Sequence, residues 1–157
     1  MTLDVQSLLV VMMINMVALS LAFPAIMGWQ VSPAARWAQG AMLVQTLGWI
    51  CLVFSRQSPA LDPLLSAASM VGLCVGMAML WQSMQGWLGP RPGGRLVWVL
   101  AVLTPLGYAL GFSNYAFRVG WANGLLALQM ILVAVAVGRL PMLPVGHWRW
   151  LVVASML

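Results

Sequence analysis

The sequence contains no lysine and no glutamate, and its only acids are Asp4 and Asp62. Charged residues make up 6% of the 157 residues, whereas a soluble domain carries about 25%. Because 63% of the chain is hydrophobic, too few charges remain to cover a water-facing surface. The composition therefore predicts an integral membrane protein. The seven arginines do not cluster, which argues against a nucleic-acid interface.

Groups that carry chemistry are equally scarce. There is one histidine, His147, and the two cysteines, Cys51 and Cys74, lie in apolar segments without a CxxC spacing. The two acids are far apart in the sequence, and no GxSxG, HExxH or phosphate-binding glycine loop is present. We therefore expect this chain to have no catalytic function, no metal site and no cofactor.

The apolar runs approach the roughly 20 residues that cross about 30 Å of hydrocarbon. They lack the period-2 alternation of barrel strands, so they predict helices, and short links predict antiparallel neighbours. The predicted fold is an all-α integral membrane bundle of about six transmembrane helices with the last incomplete, in one module that begins a longer chain. The spans are about 6–28, 37–54, 63–88, 96–112, 117–138 and, in part, 148–157.

The arginines are divided unequally between the two predicted membrane faces. Five lie after spans one, three and five, namely Arg36, Arg91, Arg95, Arg139 and Arg149. The other face has Arg56 and Arg118. Because cytoplasmic loops carry the excess of arginine, the first face is predicted to be cytoplasmic and the N-terminus to lie outside.

Arg118 begins a long uncharged run, since the next cation downstream is Arg139. Tyr115 and Trp121 lie three positions before and after it, which places all three on one helix face and permits cation–π contact. One interpretation is an interfacial anchor whose charged head reaches water. The other is a binding point for an anionic or carbonyl-bearing ligand near the outer leaflet.

Amides and glycines mark further candidate contacts inside the spans. Asn15, Gln45 and Asn123 are candidates for ligand binding or, together with Gln129, for bridging helices. Glycines four apart share a helix face and allow close approach, within the chain or in a homodimer. Three spans contain such pairs, namely Gly72–Gly76, Gly107–Gly111 and Gly120–Gly124.

Several short motifs resemble the multi-span input regions of membrane-bound bacterial diguanylate cyclases of the GGDEF class. They are "LDVQSLL" at 3–9, "WAQG" at 37–40, "RQSP" at 56–59 followed by "LLSAAS", "WLGPRP" at 87–92 and "YAFRVG" at 115–120. Ser69 and Gln85–Gly86 depart from the Asn and Arg-Arg frequent in that family, and the catalytic GGDEF motif is absent from these residues.

The resemblance implies a sensory module of the bacterial inner membrane with a periplasmic N-terminus. Such a module would control a C-terminal cytoplasmic diguanylate cyclase, and thereby cyclic-di-GMP, in response to a small-molecule or lipid ligand. The lipid bilayer is the expected environment, a homodimer is an open alternative, and no nucleic acid is expected. Two other functions stay open: a small transporter or channel lined by the four amides, and a structural membrane subunit.

Overall fold

The computed structural model describes residues 5–28, 31–55, 57 and 59–139, and all regular structure in these residues is helical. Three of the five helices, α2, α3 and α5, are long and apolar enough to cross a membrane. The helices are α1 (Val5–Met27), α2 (Pro33–Ser55), α3 (Asp62–Leu88), α4 (Gly94–Leu110) and α5 (Tyr115–Gly138).

The predicted all-helical class is confirmed for the described residues, with three helices that could span a membrane, but a count of six spans is not established. Helix α4 has 17 residues, and the apolar part of α1, Val10–Ile26, is also short. The predicted sixth segment at 148–157, together with His147 and Arg149, lies outside the described residues, as do Asp4 and Arg56.

Local chemistry explains why two helices begin earlier than the hydrophobic pattern predicts. Helix α2 begins at Pro33 because Ser32 Oγ accepts the N–H of Ala35 at 3.2 Å, and proline suits a first helical turn. Helix α5 begins at Tyr115 because the Asn114 side chain accepts the N–H of Phe117 at 3.1 Å. Polar caps of this kind extend a helix beyond its apolar run.

Helix α3 lies at the centre of the bundle. It packs against α2, α4 and α5, whereas α1 packs against α2 alone among the described helices. Sequential helices run antiparallel, so their ends form two groups. We call one group the basic end, because it includes Arg36, Arg91, Arg95 and Arg139, and the other the cavity end, where α2 and α4 finish and α3 and α5 begin.

The α2–α3 interface is formed by small residues. A Cβ placed on Gly72 would stand 2.7 Å from the Cα of Gly48 and 2.9 Å from the carbonyl oxygen of Val44. No side chain fits between backbones this close. One turn further, the Gln45 side chain lies directly on Gly76. The Gly72–Gly76 pair therefore packs within the chain, as one of the two predicted alternatives.

The glycines of α4 receive rings instead of a backbone. The indole of Trp121 lies on Gly107, and the ring of Phe117 lies on Gly111. These two rings are stacked, with centroids 5.7 Å apart. By contrast, a Cβ on Gly120 or Gly124 would meet nothing within 4 Å. Two of the three predicted glycine pairs thus pack inside the chain, and the third lies on its surface.

The main buried core lies toward the basic end. Trp81, Leu88, Val97, Val133 and Val137 are almost completely buried there and pack together. Toward the cavity end the buried cluster is smaller and consists of Met70, Tyr108 and Ala122. The two ends of the bundle therefore differ in packing as well as in charge.

Candidate functional site

Four helix ends surround a cavity of about 410 Å³ at the cavity end of the bundle. We call it the Arg118 cavity. Its walls come from the last turns of α2, the first turns of α3 and α5, and the end of α4. The lining residues are Leu52, Ser55, Pro59, Asp62, Ser66, Tyr108, Tyr115, Arg118 and Val119. Its volume falls in the range of about 300–1,000 Å³ that is usual for small-molecule sites.

The guanidinium group of Arg118 is held among aromatic rings. Its central carbon lies 4.3 Å from the ring centroid of Phe112, 5.4 Å from that of Tyr115 and 5.7 Å from that of Tyr108. All three distances are within the range of cation–π attraction. The rings limit the movement of the guanidinium group. A group held in this way is preorganised for contact with a ligand.

The position of Arg118 on α5 does not favour helix stability. It lies in the first turn of α5, where the helix dipole is positive, so a cation there is unfavourable. Its Nε is buried and has no hydrogen-bond partner among the described residues. The interfacial anchor and the ligand-binding interpretations of Arg118 both stay predictions on these observations.

Asp62 supplies the opposite charge to the same cavity. It begins α3, where a carboxylate is stabilised by the helix dipole, and its Oδ1 accepts the Ser66 hydroxyl at 2.8 Å. Both Asp62 and Arg118 line the cavity, but they do not form an ion pair with each other. Among the described residues, a carboxylate and a guanidinium therefore line one cavity without forming an ion pair with each other.

The structure places the residues predicted to surround Arg118 in two different environments. Tyr115 contacts the guanidinium, as the sequence spacing permits. Trp121, for which the spacing also permits a contact, lies elsewhere: its ring stacks on Phe117, and its Nε1 donates to the carbonyl of Leu103 at 3.4 Å. The small Gly107 gives the indole room on α4, so Trp121 packs there instead.

The four predicted amides are not brought together. Gln129 is fully buried and donates to the carbonyl of Val97 at 3.1 Å, so it bridges α5 and α4. Gln45 packs between α2 and α3 on Gly76. Asn15 and Asn123 are exposed on α1 and α5. None of the four lines the Arg118 cavity.

Sequence reasoning missed most residues of this site, including one charged and two aromatic residues: Asp62, Tyr108 and Phe112. The topology itself carried the signal for Asp62, because the links after spans two and four lie on the same side. Tyr108 lies in the last turn of α4 and Phe112 in the α4–α5 link, and both reach Arg118 because this link is short. Spacing along one helix, which was used to choose Tyr115 and Trp121, does not detect such contacts.

A second recess, of about 720 Å³, lies at the basic end and includes Arg91 and Arg95. Two of its polar side chains make hydrogen bonds at the α3–α4 link. Gln85 Nε2 donates to the carbonyl of Arg91 at 3.2 Å, and Arg91 donates to that of Leu88 at 3.3 Å. Gly93, at φ 107°, takes the left-handed conformation that this link requires. These bonds shape the link, so we regard the Arg118 cavity as the candidate functional site.

Comparison with protein-family models, with curated proteins and with solved structures gave no match. Within the described part of the chain, no three side chains of His, Cys, Asp or Glu come together as metal ligands. The functional argument therefore depends on the geometry of the Arg118 cavity.

Proposed function

We propose that this chain is a membrane-embedded sensory module that binds a small polar ligand in the Arg118 cavity and has no catalytic role itself. One observation carries the proposal: a guanidinium surrounded by three rings and an unpaired carboxylate face the same cavity. Concave sites with a few convergent polar groups are the usual form of small-molecule sites.

The position of the cavity explains how binding would be transmitted. Its walls come from the α2–α3 pair and from the α4–α5 pair, so a ligand would touch both. A ligand shifts a conformational equilibrium only if it binds the two states with different affinity. A cavity between two helix pairs meets this condition, because sliding one pair against the other changes its shape.

The arginine distribution supports an orientation for the proposed module. Within the described residues, the basic end has four arginines and no acid, and positive charge marks the cytoplasmic side. The cavity end would then face the periplasm of a bacterial inner membrane. The resemblance to input regions of diguanylate cyclases suggests the effector, a cytoplasmic GGDEF domain that makes cyclic-di-GMP.

Two valines provide a matched test of this function. Val119 lines the Arg118 cavity, and Val99 lines the recess at the basic end. We expect Val119→Phe, placed in a gene that joins this chain to a cytoplasmic GGDEF domain, to fill the cavity. The variant should reach the membrane in normal amounts but show a smaller ligand-induced change in cellular cyclic-di-GMP. Val99→Phe should leave the response intact. Equal responses from both variants and the parent would contradict a sensory role for the cavity.

A small transporter or channel is less well supported. It requires an aqueous path lined by the amides, but Asn15 and Asn123 lie on exposed faces while Gln45 and Gln129 occupy separate interfaces. We expect proteoliposomes with this protein to show no solute flux that depends on Gln45, as tested with the Gln45→Leu variant. Flux with that dependence would favour the transporter over the sensor.

A structural membrane subunit is a second candidate function, and the exposed face of α5 favours it. Gly120 and Gly124 have open space around them, and Asn123 lies exposed between them. A second copy of the chain could pack there, because glycines admit a close backbone and an amide both donates and accepts hydrogen bonds. Cross-linking that shows a homodimer, lost on Gly124→Leu, would support this function.

A further inference from the structure

We infer that the ligand of the Arg118 cavity is a zwitterion, with an ammonium group that meets Asp62 and an acidic group that meets Arg118. This inference rests on the proposed function and names the ligand class of the same site. It concerns the two charges that line the cavity together but do not pair.

The first argument is electrostatic. Asp62 and Arg118 are both half-buried, and a charge withdrawn from water is costly unless it has a partner. A ligand with only a negative charge would satisfy Arg118 and leave the carboxylate uncompensated in a site that has become drier. A cationic ligand would leave the guanidinium in the same condition. Only a ligand with both charges compensates both groups.

The second argument concerns how the two charges are held. The guanidinium is fixed by the rings of Phe112, Tyr108 and Tyr115. The carboxylate is fixed by the first turn of α3 and by the Ser66 hydroxyl. Because each charge has its own support, the two form a preorganised pair of binding points, which lowers the cost of ordering on binding.

The remaining lining fits a small molecule of this type. Leu52 and Val119 offer apolar surface beside the charges, and the hydroxyls of Tyr108 and Tyr115 add polar groups. The cavity volume of about 410 Å³ lies near the lower limit for small-molecule sites. Free amino acids and the headgroup of phosphatidylethanolamine share the required chemistry, an ammonium close to an acidic group.

The test uses the chain in phosphatidylcholine nanodiscs and measures ligand-induced thermal stabilisation. The probes are the twenty standard amino acids and phosphoethanolamine, and in a separate arm phosphatidylethanolamine replaces part of the lipid. The best amino acid is then compared with its N-acetyl and its amide derivative, each of which lacks one charge. A charge-assisted hydrogen bond corresponds to about tenfold or more in affinity, so each derivative should bind at least that much more weakly.

The variants assign each charge of the ligand to one residue. Asp62→Asn should remove the penalty for acetylation and keep the penalty for amidation, whereas Arg118→Gln should do the reverse. Arg95→Gln, at the basic end, should change neither. Stabilisation by phosphatidylethanolamine with the same dependence on Asp62 and Arg118 would support the proposed chemistry and identify a lipid headgroup as the source.

Two outcomes would overturn the inference. In the first, an N-acetyl derivative binds as well as the parent amino acid and Asp62→Asn has no effect, so that the cavity takes an anion. That result would leave the sensory function standing. In the second, neither the amino acids nor either ethanolamine probe stabilises the protein. The response of cellular cyclic-di-GMP to Val119→Phe then decides separately whether the sensory function also fails.

Discussion

The two ends of the helix bundle differ in the size of their buried hydrophobic clusters. At the basic end, Trp81, Leu88, Val97 and Val137 are buried together in the larger core. At the cavity end, the smaller cluster around Tyr108 adjoins a cavity of about 410 Å³. The basic end also has a recess, of about 720 Å³, so the ends differ in the size of the buried cluster and in the charges around their open space.

The ends differ in charge in a corresponding way. The described residues of the basic end include four arginines and no acid, whereas those of the cavity end include one acid, Asp62, and one cation, Arg118. Charge of one sign suits orientation in the membrane. Charges of both signs around one cavity suit recognition. The difference teaches that arginines of one chain lie in two distinct surroundings, on which the two proposed roles, orientation and ligand binding, depend.

The largest effect is expected from Gly72→Leu. The leucine side chain would force α2 and α3 apart, and because these helices connect the two ends, the difference between the ends would be lost with the fold. Even a Cβ at this position would stand 2.7 Å from the Cα of Gly48 and 2.9 Å from the carbonyl oxygen of Val44. Both are backbone atoms that cannot move aside. We expect loss of folded protein, measured as loss of the monodisperse peak in size-exclusion chromatography. Recovery of normal, stable protein would show that the α2–α3 contact is looser than described.

Trp81→Ala should sharpen the comparison of packing. Trp81 is 2% exposed in the core of the basic end, and removal of a buried tryptophan costs about 3 kcal/mol. Tyr115→Ala, at a residue that is 69% exposed, should cost less than about 1 kcal/mol. Both are measured as free energies of unfolding in mixed micelles.

Trp81→Phe separates ring packing from polarity at the same position. The indole Nε1 of Trp81 is buried without a hydrogen-bond partner among the described residues, so its removal partly offsets the lost volume. We expect Trp81→Phe to cost far less than Trp81→Ala. Equal costs for Trp81→Ala and Tyr115→Ala would contradict the proposed difference between the ends.

Arg118→Lys tests whether the rings hold a guanidinium or only a positive charge. Lysine keeps the charge but has no planar group to lie over Phe112, 4.3 Å away. Because an ammonium also forms cation–π contacts, only the stacking of the planar group is lost, and we expect a destabilisation of less than about 1 kcal/mol, seen as a lower Tm. Arg95→Lys, at an exposed position of the basic end, should leave the Tm unchanged. A similar Tm for all three proteins would return Arg118 to the role of a surface anchor.

The smallest effect on folding is expected from Gly124→Leu. A Cβ there meets nothing within 4 Å, so the variant should keep the Tm of the parent chain in nanodiscs that hold one copy. The same substitution should reduce association where two copies meet through this face. A marked fall in Tm for the single copy would show that α5 is covered within the chain.

The sequence predicted the helices well because their signal is local. Apolar runs bounded by Pro, Gly and Arg placed α3 at 63–88, and the structure has it at Asp62–Leu88. The differences at Pro33 and Tyr115 come from the caps of Ser32 and Asn114, whose hydrogen bonds a hydropathy pattern does not include.

The site was predicted only in part because it is formed by several helices. Arg118 and Tyr115 were recognised from their spacing on α5, and they contact each other. Trp121 satisfies the same spacing but packs on Gly107, a choice made by the neighbouring helix. Asp62 is brought to the cavity by the antiparallel return of the chain, which pairs residues that are distant in sequence.

Labelling from each side of the membrane tests most directly whether the two ends serve the two proposed roles. Single cysteines would replace Tyr115 in the Arg118 cavity and Pro92 in the exposed α3–α4 link, in a Cys51→Ala, Cys74→Ala background. We predict that a membrane-impermeant maleimide labels position 115 in intact cells and labels position 92 only after the inner membrane is permeabilised. Labelling of both positions from the same side, or of position 92 alone in intact cells, would contradict an outward-facing Arg118 cavity opposite a cytoplasmic basic end.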